Sequence, residues 1–502
     1  MRWAAAAAMI LSVLAIGLDV TVLAVALPTL ALDLHASESD LQWFSSGYAL
    51  TLAAGMLPAG VLGDRFGRKR VMLLALALFA GGSVTCAYAP NPGVFIAGRV
   101  LLGVAGAAVV VMVLSIFTVL FSEAERPRAV GIWAAANFLA LPIGPILGGW
   151  LLANFWWGWV FLLNVPVALA GLIAVLVLVP ESRAAERPAL DPPGMLAACA
   201  GLAAVTYGLI ELGRNGWTDA RSLVTLAAGA AVIAAFFAWE RHLTDRPGGR
   251  PLIDLALFAA PGFTWGVLLA AMGGIAMVGI IFTMPQYSQG VLGLDPEASG
   301  VRLLPMIAGL VLGAVPADRV AARIGARLVV GIGFAIGGAG FLAGATTAVE
   351  SSPAFVAIWM AVVGFGMGLA FATAASAAMA TVPEARSGVA SALLQAMQKV
   401  GAPLGSAILG SVLVTGYQSQ LNLAGLPPAA AQAVRQSVFA GVIVAQRLHS
   451  PGLENSVRQA FVHGMDATLV VSAAIMAIGM VGALVFLPGR AAVKAGVRSP
   501  VV

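Results

Sequence analysis

Fourteen stretches of this chain are each long and apolar enough to cross a bilayer as a helix, which takes about 20 residues. They lie at roughly 4–28, 43–63, 71–90, 94–120, 129–153, 158–179, 193–213, 221–240, 263–286, 299–318, 327–348, 353–380, 387–415 and 466–487. Strands of a membrane barrel would be shorter and would alternate in polarity, which these runs do not. With 60% hydrophobic and 10% charged residues, the chain carries more apolar surface than any soluble fold buries. It is expected to be an all-α integral membrane protein. That excludes a water-soluble enzyme, a disordered chain and a nucleic-acid binder, although the pI is about 9.6. The first stretch resembles a signal peptide only superficially, since it holds Asp19 and thirteen more spans follow. Cys86 and Cys199 both lie in apolar stretches and form neither a disulfide framework nor a metal cluster.

An even number of spans returns both ends to one side. Assigned to alternate loops, 19 of the 27 Lys and Arg residues fall on one side and 5 on the other, with Arg99, Arg302 and Lys399 within or at the edge of spans. Basic loops stay cytoplasmic, so both termini are expected in the cytoplasm, with the chain in the cell membrane.

The two halves repeat. Asp64-Arg65 with Gly67-Arg68 ends the second stretch, and Asp318-Arg319 with Gly325 ends the tenth. Gly131, Gly144 and Gly148 recur 257 residues later as Gly388, Gly401 and Gly405. This spacing predicts a six-helix bundle over residues 1–180, two inserted helices over 181–260, and a second six-helix bundle over 261–502 with a long outer loop at 416–464. Within that loop, 430–446 reads as a helix lying at the membrane surface. Transporters built on such repeats bind substrate near the midplane.

Four motifs carry chemistry. Asp19 sits deep in the first apolar run, ahead of Pro28. An ionised carboxylate isolated there costs on the order of several kcal/mol, a reason to exchange a proton near neutral pH. The plainer reading is a polar residue pairing with a neighbouring helix. Gly60, Asp64, Arg65, Gly67, Arg68, Lys69 and Arg70 form a tight basic turn between the second and third stretches. Arg99, always charged, lies near the start of the fourth stretch, where it either reaches the bundle interior and acts on the Asp19 site or snorkels to the interface. In the fifth stretch, Pro142 and Pro145 remove backbone donors. There Gly144 and Gly148, in a motif that continues to Gly149, permit close helix approach, giving a hinge or an ordinary packing seam. Phe138, Trp265, Phe282, Met284, Tyr287, Met306 and Met397 are candidates for an apolar pocket or for lipid contact. Glu211 and Asp466, near the outer ends of their spans, are candidates for receiving protons.

Residues 60–70 resemble the loop signature of the major facilitator superfamily. Gly144-Pro145 with Gly148-Gly149 resembles the fifth-helix signature of its antiporters. Leu18-Asp19 with Leu27-Pro28, the run 157–166 and Gln286 to Pro305 resemble the fourteen-helix drug:proton antiporter branch. The resemblance implies a major facilitator fold of two six-helix bundles plus two further helices. It implies export of small amphiphilic compounds by alternating access, driven by protons, with Asp19 as the coupling residue and the Asp64 loop as a latch. The match is imperfect. Gly158 stands where the family often has Arg, and Lys399 occupies a stretch that is acidic in some members. A buried Lys disfavours dications as cargo and leaves monocations, zwitterions, neutral compounds and anions open.

The chain has no G-x-x-x-x-G-K-[ST], so it is not expected to hydrolyse ATP itself. Gly364-Phe365-Gly366-Met367-Gly368 lies within an apolar run with no strand before it. No cofactor, metal, enzymatic activity or nucleic-acid partner is expected, and the protein is read as a monomer acting on a small substrate, protons and lipid. Symport that imports a metabolite, and a receptor or scaffold without turnover, are the alternatives.

Overall fold

The computed structural model describes residues 2–122, 125–183, 191–246, 255–380, 382 and 387–488. Among these, the secondary structure is helical, with no strand. The helices are α1 Arg2–Asp33, α2 Glu38–Phe66, α3 Arg68–Ala87, α4 Pro92–Leu120, α5 Arg126–Asn154, α6 Trp159–Leu162, α7 Asn164–Leu178, α8 Pro192–Asn215 and α9 Ala220–Asp245. They continue with α10 Pro261–Gln286, a π turn at Tyr287–Val291, α11 Pro296–Val301, α12 Leu304–Ile324, α13 Ala326–Gly344, α14 Pro353–Met379, α15 Ser387–Gln420, α16 Pro428–Gln436, α17 Val438–Arg447 and α18 Pro451–Phe486.

Every predicted stretch overlaps a helix. Twelve helices among the described residues are long and apolar enough to span a bilayer, or thirteen if the bent α2 is one span. The count of fourteen is therefore an expectation rather than an observation. The tenth stretch is broken between α11 and α12. Residues 416–464 are helical over much of their length, because α15 runs on to Gln420 and α18 begins at Pro451. The helix expected over 430–446 breaks at Ser437, whose extended backbone lets its hydroxyl accept from Ala440 N and cap α17. Val434 and Val438 are buried, so this segment packs into protein.

Two compact units are present. Unit 1 comprises Met1–Leu252, Met284–Val301 and Asn422–Val457. Unit 2 comprises Ile253–Thr283, Arg302–Leu421 and Arg458–Val502. Helices α8 and α9 therefore lie in unit 1. Only 17% of the apolar window of α9 is buried. Leu74, Val177, Leu196 and Leu312 are likewise exposed on their spans, as expected of side chains that face lipid.

Glycines set the closest helix contacts. In unit 2, Gly309 and Gly313 of α12 meet the carbonyls of Ala361 and Phe365, while Gly364 and Gly368 of α14 meet those of Met306 and Leu310. The glycine run at 364–368 is thus half of a reciprocal small-residue seam. In each unit, one helix presents a glycine pair four residues apart to another. Gly144 and Gly148 of α5 meet Thr21 and Val22 of α1, and Gly401 and Gly405 of α15 meet Ala271 and Ile275 of α10. The 257-residue repeat therefore marks the same packing device in both.

Candidate functional site

Asp19 lies 2% exposed in the middle of α1, within unit 1. Its Oδ2 pairs with the Arg99 guanidinium of α4, and its Oδ1 accepts from Asn164 Nδ2 of α7 at 3.2 Å. Arg99 does not snorkel: it is 1% exposed. Its Nε donates to the Phe44 carbonyl of α2 at 2.9 Å, and its guanidinium lies 4.4 Å from the centre of the Tyr48 ring. The Tyr48 hydroxyl in turn donates to the Ile16 carbonyl of α1 at 3.3 Å. One buried ion pair thus joins four helices, and each partner has further polar or π contacts. That is the arrangement in which burying two charges is tolerable.

Asn164, Phe44 and Tyr48 were not singled out by the sequence reading. Asn164 carried a signal, being the lone polar side chain in the apolar run 159–168. The Phe44 carbonyl carried none, since a backbone acceptor has no residue signature.

The helix-five motif borders this site. A side chain at Gly144 would come within 2.7 Å of Thr21 Cβ, and one at Gly148 within 2.6 Å of Val22 Cγ1. Thr21 Oγ1 also donates to the Ala140 carbonyl at 3.2 Å. On the other side of α5, a side chain at Gly149 would meet Pro296 O and Glu297 Cα of α11, each at 2.7 Å. Gly300 of α11 approaches the Pro145 carbonyl. Helix α5 is therefore wedged between α1 and α11, and any side chain at these glycines would push them apart.

The Asp64 turn lies at the α2–α3 junction. Arg68 donates through Nε and Nη2 to Asp64 Oδ1 at 3.0 and 2.8 Å, and through Nη1 to the Ser115 carbonyl of α4 at 3.3 Å. Gly67 has φ +115°, a conformation that L side chains rarely adopt, and a side chain there would strike the Glu181 carboxylate. Glu181 itself accepts from Lys69 N at 3.2 Å and lies 3.6 Å from Arg70 Nε. Arg68 N donates to the Ser182 carbonyl at 2.9 Å. Arg65 lies over the Phe66 ring at 5.8 Å. Gly60 makes ordinary contact with Val111 at 3.6 Å. The residues 181–182 that hold this turn were missed in the sequence, although a lone acid following a span, opposite a basic cluster, was there to be read.

The remaining predicted residues scatter. The side chains of Lys399, Phe138 and Pro142 lie outside the described residues. Phe282, Met284, Tyr287 and Met306 are buried, so none of them faces lipid. Trp265 stacks on Phe486 with ring centres 4.1 Å apart. Glu211 Oε2 accepts from Asn215 at 3.0 Å, whereas Asp466 Oδ1 is buried without a hydrogen bond. Among the described residues, no three His, Cys, Asp or Glu side chains cluster as a metal site would require.

An all-helical chain with long apolar spans, glycine seams and a buried ion pair across its first helices has the character of a membrane transporter. The Major Facilitator Superfamily model matches residues 9–406 and 305–500. The chain belongs to that family and is a multi-pass membrane transporter of small substrates. It is 30% identical to the tetracenomycin C resistance and export protein of Streptomyces glaucescens, covering 96% of this chain and 91% of that protein. It is 33% identical to the multidrug efflux pump LfrA of Mycolicibacterium smegmatis, covering 94% and 93%. It is 31% identical to the methyl viologen resistance protein SmvA of Salmonella typhimurium, covering 96% and 97%. The inward-facing, unoccupied crystal structure of a bacterial homologue of the human lysosomal transporter Spinster shares the fold, with a TM-score of 0.68 at 18% identity over 97% of this chain and 98% of that one.

Proposed function

We propose that this protein exports small, amphiphilic toxic compounds across the cytoplasmic membrane in exchange for protons, as a monomer with both termini in the cytoplasm. The functions of these relatives support the direction and the cargo class. The observation that carries the coupling is the buried Asp19–Arg99 pair braced by Asn164. A proton and the Arg99 guanidinium compete for the same carboxylate. While Asp19 is ionised, the pair fastens α1 to α4. A proton on Asp19 removes the attraction, and α1 is released. Arg99 stays behind, because the Phe44 carbonyl and the Tyr48 ring hold it to α2. The protonation state of one side chain thereby selects between two helix arrangements, as a proton-driven cycle requires. The Asp64–Arg68–Glu181 turn serves as the cytoplasmic latch, Gly144 to Gly149 as the seam along which α5 moves, and Lys399 as a cargo-selecting charge in the second half.

Proteoliposomes holding an amphiphilic fluorescent cation such as ethidium test the coupling. With Asp19→Asn, exchange of ethidium down its own gradient persists and uphill transport driven by a pH gradient is lost. Uphill transport at the wild-type rate would rule Asp19 out.

A further inference from the structure

A second carboxyl lies buried elsewhere in unit 1. Glu38 opens α2, at the end of that helix opposite the Asp64 turn, and is 5% exposed. The capping of α2 does not use it: Ser37 and Asp40 close the capping box between them. Both Glu38 oxygens are shut off from solvent. One turn on, on the same face of α2, Gln42 is 1% exposed, and its Oε1 is also buried and unbonded. The wholly buried Gln286, last residue of α10, sits beside the Glu38 carboxyl. Gln286 leads into the π turn at 287–291, and there Gln289 Nε2 donates to the Val25 carbonyl of α1 at 3.0 Å. Such turns recur at functional sites.

Among the described side chains, the charges on the surrounding elements are engaged elsewhere or exposed. Asp19 and Arg99 pair with each other, Asp40 is in the capping box, and Glu211 accepts from Asn215. Asp295 caps α11 through Ala298 N, and Asp33, His35, Glu297 and Arg447 are exposed. The basic residues of α3 are at the far end, with Asp64 and Glu181. Among the described residues, no cation pairs with Glu38. A charge there would have no paired cation among the described residues and only carboxamides to receive it, whereas a neutral acid beside two carboxamides suits the pocket. One carboxyl and two amides also fall short of a metal site.

We propose that Glu38, with Gln42 and Gln286, is a second proton-binding site that holds the 284–301 strap against α2. This rests on the reading of the chain as a proton-coupled transporter. The strap belongs to unit 1, yet the residues preceding and following it belong to unit 2, so displacement of its ends pulls on it. Lifting the strap wets Glu38 and lets it ionise. Redocking demands a proton, taken from the side of the membrane on which the strap lies.

The full-length protein in lipid nanodiscs tests this by infrared difference spectroscopy during a pH titration. Wild type is expected to show a protonated-carboxyl stretch that titrates, that disappears in Glu38→Gln and that persists in Asp19→Asn. In proteoliposomes, wild type is expected to move about two protons per ethidium and Glu38→Gln about one. A band that survives in Glu38→Gln overturns the site. So does a lost band with an unchanged proton count, which leaves a buried acid outside the cycle. If Glu38→Gln does not reach the membrane, Gln286→Leu carries the test. It should move the midpoint of the band by about one pH unit, and an unmoved midpoint overturns the proposal. A wild type that moves no protons at all would defeat the transport reading, while the infrared result would still judge whether Glu38 holds one.

Discussion

Arg99 shows how one side chain sets the character of a membrane site. It bonds to a carboxylate on α1, a carbonyl on α2 and the face of an aromatic ring. Breaking a buried pair from one side strands the other charge, at a cost of about 3–5 kcal/mol. Thermal unfolding in detergent should therefore rank wild type above Asp19→Asn, and Asp19→Asn above Arg99→Ala, because the amide still accepts from Arg99 while alanine leaves Asp19 alone. The double variant Asp19→Leu with Arg99→Met should unfold at a higher temperature than Arg99→Ala while remaining inactive. A double variant as unstable as Arg99→Ala would mean that the pair is not what fastens these helices. Arg99→Lys should also fail in transport, because an ammonium lacks the planar fork that reaches Asp19 and Phe44 together.

Among the elements, α5 gives the sharpest expectation. Its glycines face α1 on one side and α11 on the other, with no room for a Cβ at Gly144, Gly148 or Gly149. Gly148→Val should insert and be found in membranes, yet lose ethidium export at least tenfold, since about 1–3 kcal/mol of overpacking falls on the α1 contact beside Asp19. Normal export by that variant would dismiss α5 as a moving seam. At the latch, Gly67→Ala combines a left-handed backbone with a collision against Glu181. Glu181→Ala removes the collision, the Arg70 ion pair and the hydrogen bond from Lys69 N. Gly67→Ala should therefore remain less thermostable than wild type even in the Glu181→Ala background, by about 1 kcal/mol or more. Full rescue would show that only the contact mattered.

For the protein as a whole, the energetics turn on charge. Moving one charge through 100 mV yields about 2.3 kcal/mol, and one pH unit yields about 1.4 kcal/mol. Exchange of one proton for a monocation is electroneutral and draws only on the pH term. If Glu38 carries a second proton, each cycle moves one net charge. Collapsing the potential with valinomycin and potassium should then lower ethidium export by wild type and leave Glu38→Gln indifferent to the potential. An indifferent wild type would limit the exchange to one proton.

The helices and their order could be read from the residues because lipid imposes one requirement on every span: enough consecutive apolar side chains to cover a closed backbone ladder. The candidate acid was visible for the same reason, since Asp19 stands out against such a run. The glycine repeat was visible as spacing, but not as the α1–α5 and α10–α15 seams it builds. What no linear reading could supply was partnership. That Arg99 turns inward to a backbone carbonyl, that Asn164 completes the surroundings of Asp19, and that Glu38 meets an amide 248 positions further on depend on which helix faces lie together. Apolar helices look alike on every side, so hydrophobicity places them in the membrane without choosing their neighbours. Close packing of small residues and a few buried polar groups made that choice.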